Sequence, residues 1–243
     1  MFKLNKDSRD ALRKRARKLM KNATQDMMHD SAHIERTLKI SRQIFDSFDD
    51  PRKNWDIVEQ AVLWHDISRT NNHGAGLFMF FLDDLLSARI IKKEFKKLNI
   101  DREFTNLICR IILEHRIYSL SKNTLNGSVF NDADALDMYS PIRFNRAIKY
   151  LKNGRYSRKP EWQKRFVRHI LNFYGDLALK FYHPQSYKKL NFEESKRIYI
   201  NKMKNLLKFF NANQDMAKIF LTKEMIFKFR KRLKQEARGN LNG

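Results

Sequence analysis

Glycine and proline are scarce, 7 and 4 in 243 residues. A β-rich fold, with its many tight turns, is poorly served by so few, and long uninterrupted helices are favoured. The expected fold is all α. Cysteine is nearly absent: Cys109, set in the apolar pattern Leu107-Ile108-Cys109-Arg110-Ile111-Ile112, has no second cysteine to pair with. That excludes an internal disulfide framework and zinc sites built on cysteine pairs. It points to a reducing compartment, with Cys109 as a buried structural thiol. Long hydrophobic runs are missing too. The longest, Leu77 to Leu82, falls far short of the roughly 20 residues that cross a bilayer, and the charged start from Lys3 onward offers no apolar signal core. A cytoplasmic protein without a transmembrane segment is expected. There is no glycine-rich phosphate loop.

Acid is in short supply: 27 Asp and Glu stand against 50 Lys and Arg, a formal charge of +23. The excess is uneven. Residues 1–23 carry nine basic residues against two acids, residues 141–160 seven against none, and residues 215–243 eight against three. Such a field favours anionic ligands, whether nucleotides, nucleic acid or an anionic membrane surface, with a plain solvated basic surface as the competing account.

The length suits one large domain with extensions and is enough to bury a core. Hydrophobic periodicity predicts a basic helix from Asp7 or Ser8 to about Lys21, and then one capped by Asp30 or Ser31 that carries Ile34, Leu38, Ile40, Ile44 and Phe45. Asp50-Pro51 breaks the chain. A helix from about Asn54 to Ile67 follows, then a loop from Ser68 to Gly76 and a long helix from Leu77 to Leu98. Asp101 caps a helix from Arg102 to Tyr118, and Ser119 to Ser128 reads as a loop. The acidic cluster Asp132-Ala133-Asp134-Ala135-Leu136-Asp137 is placed at the start of the next helix, and further helices are read at 160–180, 192–210 and 214–238. The expected organisation is a basic N-terminal helix over 1–23, a main domain over 24–213 and a basic C-terminal helix or tail over 214–243.

Among these elements the run Ala61-Val62-Leu63-Trp64-His65-Asp66-Ile67 is chemically odd. An imidazole and a carboxylate side by side at the end of an apolar helix are costly to desolvate unless something pairs both, and a metal ion would meet that cost. Imidazole and carboxylate are ligand types for Zn, Mn, Fe or Mg. Other potential ligands, His33, His73, His115 and the acidic cluster, stand at or near other helix ends, an arrangement able to converge on one point. Asp83 and Asp84, a carboxylate pair without a histidine, read as a solvated helix face.

The ordered set Asp30-Ser31-Ala32-His33-Ile34-Glu35-Arg36, then Leu63-Trp64-His65-Asp66-Ile67-Ser68-Arg69, His73-Gly74 and Asp132-Ala133-Asp134-Ala135-Leu136-Asp137 resembles the HD superfamily of metal-dependent phosphohydrolases. A weaker similarity runs into His183-Pro184-Gln185-Ser186, so the likeness spans about 24–213. It implies a helical bundle with a metal site between helices. It also implies His33, His65, Asp66 and Asp134 as ligands of a divalent ion (Mn, Mg, Fe, Ni or Zn), with Asp132 the reserve for Asp134. A single ion is favoured over two. His73 and His115 fall in the interval where some family members add ligands for a second ion; otherwise they face the substrate, as general acid or phosphate donors, with Asp66 also in the catalytic set. Arg36, Arg69, Arg143 and Arg146 are the candidate phosphate contacts, since guanidinium groups hold phosphate bidentately.

The resemblance thus implies hydrolysis of a phosphoester or phosphoanhydride in a nucleotide or similar small phosphate by metal-activated water. Two alternatives stay open: an HD-type nuclease on single-stranded nucleic acid, for which the basic segments could track the backbone, and a non-catalytic module binding nucleotide or nucleic acid. Oligomeric state is not fixed by the sequence.

Overall fold

The computed structural model describes residues 3–21, 31–70, 79–115, 124–143, 145, 160–163, 165, 190–213 and 223–238. Among these residues there is no β-strand, as the scarcity of turn formers predicts, and no helix is long and apolar enough to cross a membrane. The chain divides into two compact units, Met1–Asp137 and Met138–Gly243.

The first unit is built around α3. Its helices are α1 (Lys6–Met20), α2 (Ser31–Asp46), α3 (Trp55–Trp64), α4 (Met79–Lys97), α5 (Arg102–Glu114) and α6 (Leu125–Asp137), with a 3-10 turn at Ile67–Thr70. Every residue of α3 from Asp56 to Trp64 is buried. The Asn54 side chain starts the helix by accepting from the Asp56 amide, and α1, α2, α5 and α6 pack around it. Trp64 meets Phe95 of α4 edge-on, 5.1 Å between ring centres, and its indole N–H donates to Gln60. Side chains of this size each contribute about 1.5 to 3 kcal/mol when fully buried.

A uniformly buried helix that contains Asp56 and Glu59 needs counter-charges, and α1 supplies them. Arg9 pairs with Asp56 at 2.7 Å and Arg13 with Glu59 at 2.7 Å, while Arg15 reaches Glu94 of α4 at 2.5 Å and Arg17 reaches Glu35 of α2 at 3.0 Å. Leu12, Ala16 and Met20, one turn apart, enter the core beneath these arginines. The basic N-terminal helix is therefore a stitched part of the first unit, with four of its arginines engaged by acids.

Several boundaries differ from the sequence reading, among them that of α5, which ends at Glu114 with His115 as its C-cap instead of running to Tyr118. The α3 helix stops at Trp64, and His65-Asp66 leads into the 3-10 turn. The α4 helix ends at Lys97, where Asn99 takes a left-handed conformation (φ 52°) and Ile100 N–H returns to the Phe95 carbonyl, a helix stop that asparagine tolerates. The α6 helix begins at Leu125, inside the stretch read as a loop, so the acidic cluster closes this helix instead of opening it. Thr124 Oγ1 accepts from the Gly127 amide, and Asn126 is tied to the Asn54 amide, so polar residues that suggested a loop are the ones that start the helix. A Cβ at Gly127 would sit 3.1 Å from the capping Thr124 Oγ1, so the glycine leaves room for that cap.

In the second unit, α7 (Glu193–Ala212) and α8 (Lys223–Ala237) pack on each other. Phe210 of α7 stacks on Phe229 of α8 at 6.1 Å, and Tyr199 meets Tyr139 edge-on. Tyr199, Met203 and Leu206 of α7 are buried with Ile226 and Leu233 of α8.

Candidate metal centre

Four elements of the first unit deliver side chains to one point. His33 lies in the first turn of α2, His65 is the C-cap of α3 with Asp66 next to it, and His115 is the C-cap of α5. The α6 helix presents Phe130, Asp134 and Asp137, spaced i, i+4, i+7 and so on one face.

The two imidazoles meet nitrogen to nitrogen, with His33 Nε2 3.2 Å from His65 Nε2. Asp134 Oδ1 lies 3.1 Å from His33 Nε2 and 3.5 Å from His65 Nε2, and Asp66 Oδ2 lies 3.5 and 3.2 Å from the same two atoms. His33, His65 and Asp66 form one mutual cluster of potential ligands, and Asp134 approaches the same two nitrogens as closely as Asp66 does. Metal–ligand bonds of about 2.1 Å give ligand–ligand separations of about 3.0 Å in an octahedron and about 3.4 Å in a tetrahedron. The observed edges have that size.

The far nitrogens decide what the near ones can be. His65 Nδ1 is 2.8 Å from the Val62 carbonyl, which only accepts, so this Nδ1 carries the proton and donates. His33 Nδ1 is 2.8 Å from Asp137 Oδ2, likewise an acceptor. In the neutral form each imidazole then points an Nε2 lone pair at the other. Only a proton or a cation between them and the flanking carboxylates makes that arrangement stable. The donor set, two imidazole nitrogens and two carboxylates, fits a divalent cation, and the hydrogen bonds behind the histidines are those that fix the ring orientation of metal-ligating imidazoles.

The electrostatics agree. Burial pushes the His33 imidazole down, but hydrogen bonds to Asp134 and Asp137 outweigh it and leave the group above its ordinary 6.5. At His65 burial is again the largest influence and is again overcome, here by the Asp66 charge and by Asp134, so the group is raised well above 6.5. For Asp134, burial favours the neutral form, and hydrogen bonds from His33 and His65 hold the carboxyl well below its usual range. Burial likewise opposes ionisation of Asp137, but His33 and Arg36 bring it down to about 2. His115 is lowered by burial, which the Asp134 charge only partly offsets. Its Nε2 is 3.2 Å from Asp134 Oδ2, and its ring lies edge-on to Phe130 at 4.9 Å.

The structure therefore brings together His33, His65, Asp66, Asp134 and His115. Asp132 is also buried but sits about 200° around the helix from Asp134 at 100° per residue. The arginines have other places than facing an open site. Arg36 donates through Nε and Nη2 to the two oxygens of Asp137, at 2.8 and 2.9 Å. Arg69 is held by Asp83, which also accepts from the Ser68 hydroxyl. That corrects the reading of Asp83 as a solvated position: it is buried on α4 and fastens the turn that follows Asp66. Arg143 belongs to the second unit, its side chain buried. His73 and Arg146 lie outside the described residues. Asp137 escaped the sequence reading. Its signal was present, since it falls three residues after Asp134, but an acid that binds a histidine from behind looks the same in sequence as one that binds a metal.

Residues 31–139 match the family model of the HD domain. The match starts at α2 and ends just past α6, shorter than the 24–213 over which the resemblance was read, and it contains all five converging residues. No curated protein and no solved structure matches the chain. HD domains bind divalent metals and are in general metal-dependent hydrolases, and the His33–His65–Asp66 group is a possible site for such an ion. Over residues 31–139, rather less than half of its length, the chain is similar to the HD domain, the domain of the HD superfamily of metal-dependent phosphohydrolases.

Proposed function

We propose that the chain is a phosphohydrolase that holds one divalent cation on His33, His65, Asp66 and Asp134 and cleaves a phosphoester or phosphoanhydride of a nucleotide or similar small phosphate. The observation that carries this reading is the facing pair of Nε2 atoms, each with its Nδ1 committed to an acceptor behind it. When bound, such a cation polarises a phosphoryl oxygen and acidifies a water molecule. Asp66 and Asp134 balance its charge. Asp137 and Arg36 act as positioning residues that keep the His33 ring turned.

His115 is the candidate for proton transfer. Held below 6.5 by burial, it is neutral near pH 7. With Nε2 at Asp134 and no hydrogen-bond partner for Nδ1 among the described residues, it can take a proton from water or pass one to a leaving oxygen. Asp83 and Ser68 hold the turn carrying Arg69 beside the pair. His73 keeps its proposed role facing the substrate.

The test is release of phosphate from nucleoside tri-, di- and monophosphates and cyclic nucleotides by protein loaded separately with Mn, Mg, Ni and Fe. Turnover with at least one metal, lost in His65→Ala and Asp66→Ala, is expected. No turnover with any metal across this panel, from folded protein, would overturn the proposal. Elemental analysis should give one ion per chain. Two would reassign His115 as a ligand of the second.

A further inference from the structure

We propose that α7 of the second unit, together with the end of α8, forms a binding groove for single-stranded nucleic acid, an inference that does not rest on the metal site. Along α7 runs a cavity of about 610 Å³ lined by the polar residues Asn201, Lys204, Asn205, Lys208 and Asn211 together with Leu207, and with Ala237 of α8 at its edge. The five polar positions are spaced i, i+3, i+4, i+7 and i+10, a single stripe about 15 Å long at 1.5 Å per residue. Its two ammonium groups stand one turn apart, about 6 Å along the axis, on the scale of successive phosphates. All five residues are exposed.

The stripe holds no acid. The two glutamates of α7 sit in its first turn, where Glu193 holds Lys196 and Glu194 holds Arg197. Lys204 and Lys208 have no acidic partner among the described residues. Nor is the asparagine content explained by helix formation, since exposed Asn costs about 0.7 kcal/mol relative to Ala in a helix interior. Asn201 and Asn205 make no hydrogen bond among the described residues that would offset it. Each amide offers both donors and an acceptor, which suits phosphate, sugar and base edges alike. Lysines that track a backbone, interleaved with neutral polar groups, are the elements of a sequence-tolerant single-strand site.

The same geometry disfavours a membrane surface. A helix lying in a bilayer interface needs an open apolar face, whereas the apolar faces of α7 and α8 are turned onto each other through Phe210, Phe229, Ile226 and Leu233. The outward stripe of α7 that lines the groove carries amides and ammonium groups, with Leu207 as its one apolar member.

The experiment uses the full chain in EDTA, so that binding is read without cutting. Fluorescence anisotropy follows labelled single-stranded RNA and DNA of about 20 nucleotides across a salt series. Binding is expected to weaken with salt at about 0.7 log units per log unit of salt for each phosphate neutralised. In Lys204→Gln/Lys208→Gln affinity should fall at least tenfold and the slope should lose about 1.4. In Asn201→Ala/Asn205→Ala affinity should fall with the slope unchanged. Circular dichroism checks that these exposed replacements leave the fold intact. The matched pair Lys14→Gln/Lys18→Gln, exposed lysines on α1, should leave affinity within threefold. An equal loss there would mean that net charge and not the groove binds, and would overturn the proposal. So would binding of phosphatidylserine vesicles without binding of either oligonucleotide, full competition by a mononucleotide at equal phosphate concentration, or no oligonucleotide binding at low salt.

Discussion

Asp137 is fully buried and accepts three hydrogen bonds, one from His33 Nδ1 and two from Arg36. Replacing it by alanine would leave a guanidinium and an imidazole N–H without their acceptor, and breaking a buried ion pair in this way costs about 3 to 5 kcal/mol. Against a typical total stability of about 5 to 15 kcal/mol, that alone could unfold the unit. Asp137→Asn is the sharper probe. Asparagine keeps the shape and one carbonyl acceptor, but its amide N–H groups face other donors, so a mismatch of about 1 to 3 kcal/mol is expected. More important, His33 Nδ1 loses its charged anchor. The ring can then protonate at Nε2, the atom that faces His65. Loss of such an outer partner weakens metal binding about 10- to 100-fold, or about 1.4 to 2.7 kcal/mol. The measurement is calorimetric titration of metal-free protein with Mn, with urea unfolding in EDTA to separate stability from affinity. Asp132→Asn, altering a buried acid on another face of the same helix, is the control and should leave Mn affinity unchanged. Wild-type affinity in folded Asp137→Asn, or an equal loss in Asp132→Asn, would refute the reasoning.

Three further outcomes follow from the same geometry. Glu94 is held below its ordinary 4.5 chiefly by its hydrogen bond from Arg15, against burial and with help from Lys97. A lowered folded value means that this stability is present above about pH 4.5 and is lost as the pH falls further. Glu94→Gln should therefore cost about 1 to 3 kcal/mol at pH 7, with the gap to wild type closing in unfolding curves taken toward pH 3. His115→Gln should retain about one ion per chain by elemental analysis yet lose about 10²- to 10⁴-fold in kcat, the range for a positioned general acid or base. Loss of the ion itself would instead make His115 a ligand. Mn at 100 times its Kd should stabilise the protein by about 2.7 kcal/mol, read as a rise in Tm that EDTA reverses and that His33→Ala abolishes.

How much of this was legible in the sequence depends on what each residue needs in order to be recognised. The all-α fold followed from the scarcity of turn formers; ligand types recurring near helix ends pointed to His33, His65, Asp66, His73, His115 and the acidic cluster, and only the family resemblance singled out Asp134 within that cluster. Chain order and helix period carry both kinds of information. Choosing Asp134 over Asp132 by periodicity would have required the true start of α6. Reading residues 119–128 as a loop hid the face shared by Phe130, Asp134 and Asp137. The arginines were harder, because an arginine one turn from a ligand can reach outward to a phosphate or inward to an acid. The acids that hold Arg36 and Arg69, Asp137 and Asp83, come from other helices.

The same ambiguity governs the charge of +23, which composition presents as one field. The structure sorts it by side chain. Arginines of α1 close onto Asp56, Glu59 and Glu94, where a planar fork suits a buried carboxylate, and Arg17 pairs with Glu35 at the surface. On α7, Lys204 and Lys208 stand exposed among amides with no acid on their stripe. A strongly hydrated ammonium on a flexible stem is well placed to exchange water and counterions for a polyanion. Part of the positive charge of the first unit thus serves buried acids. That of α7 faces outward, and there a basic composition becomes an argument about a partner.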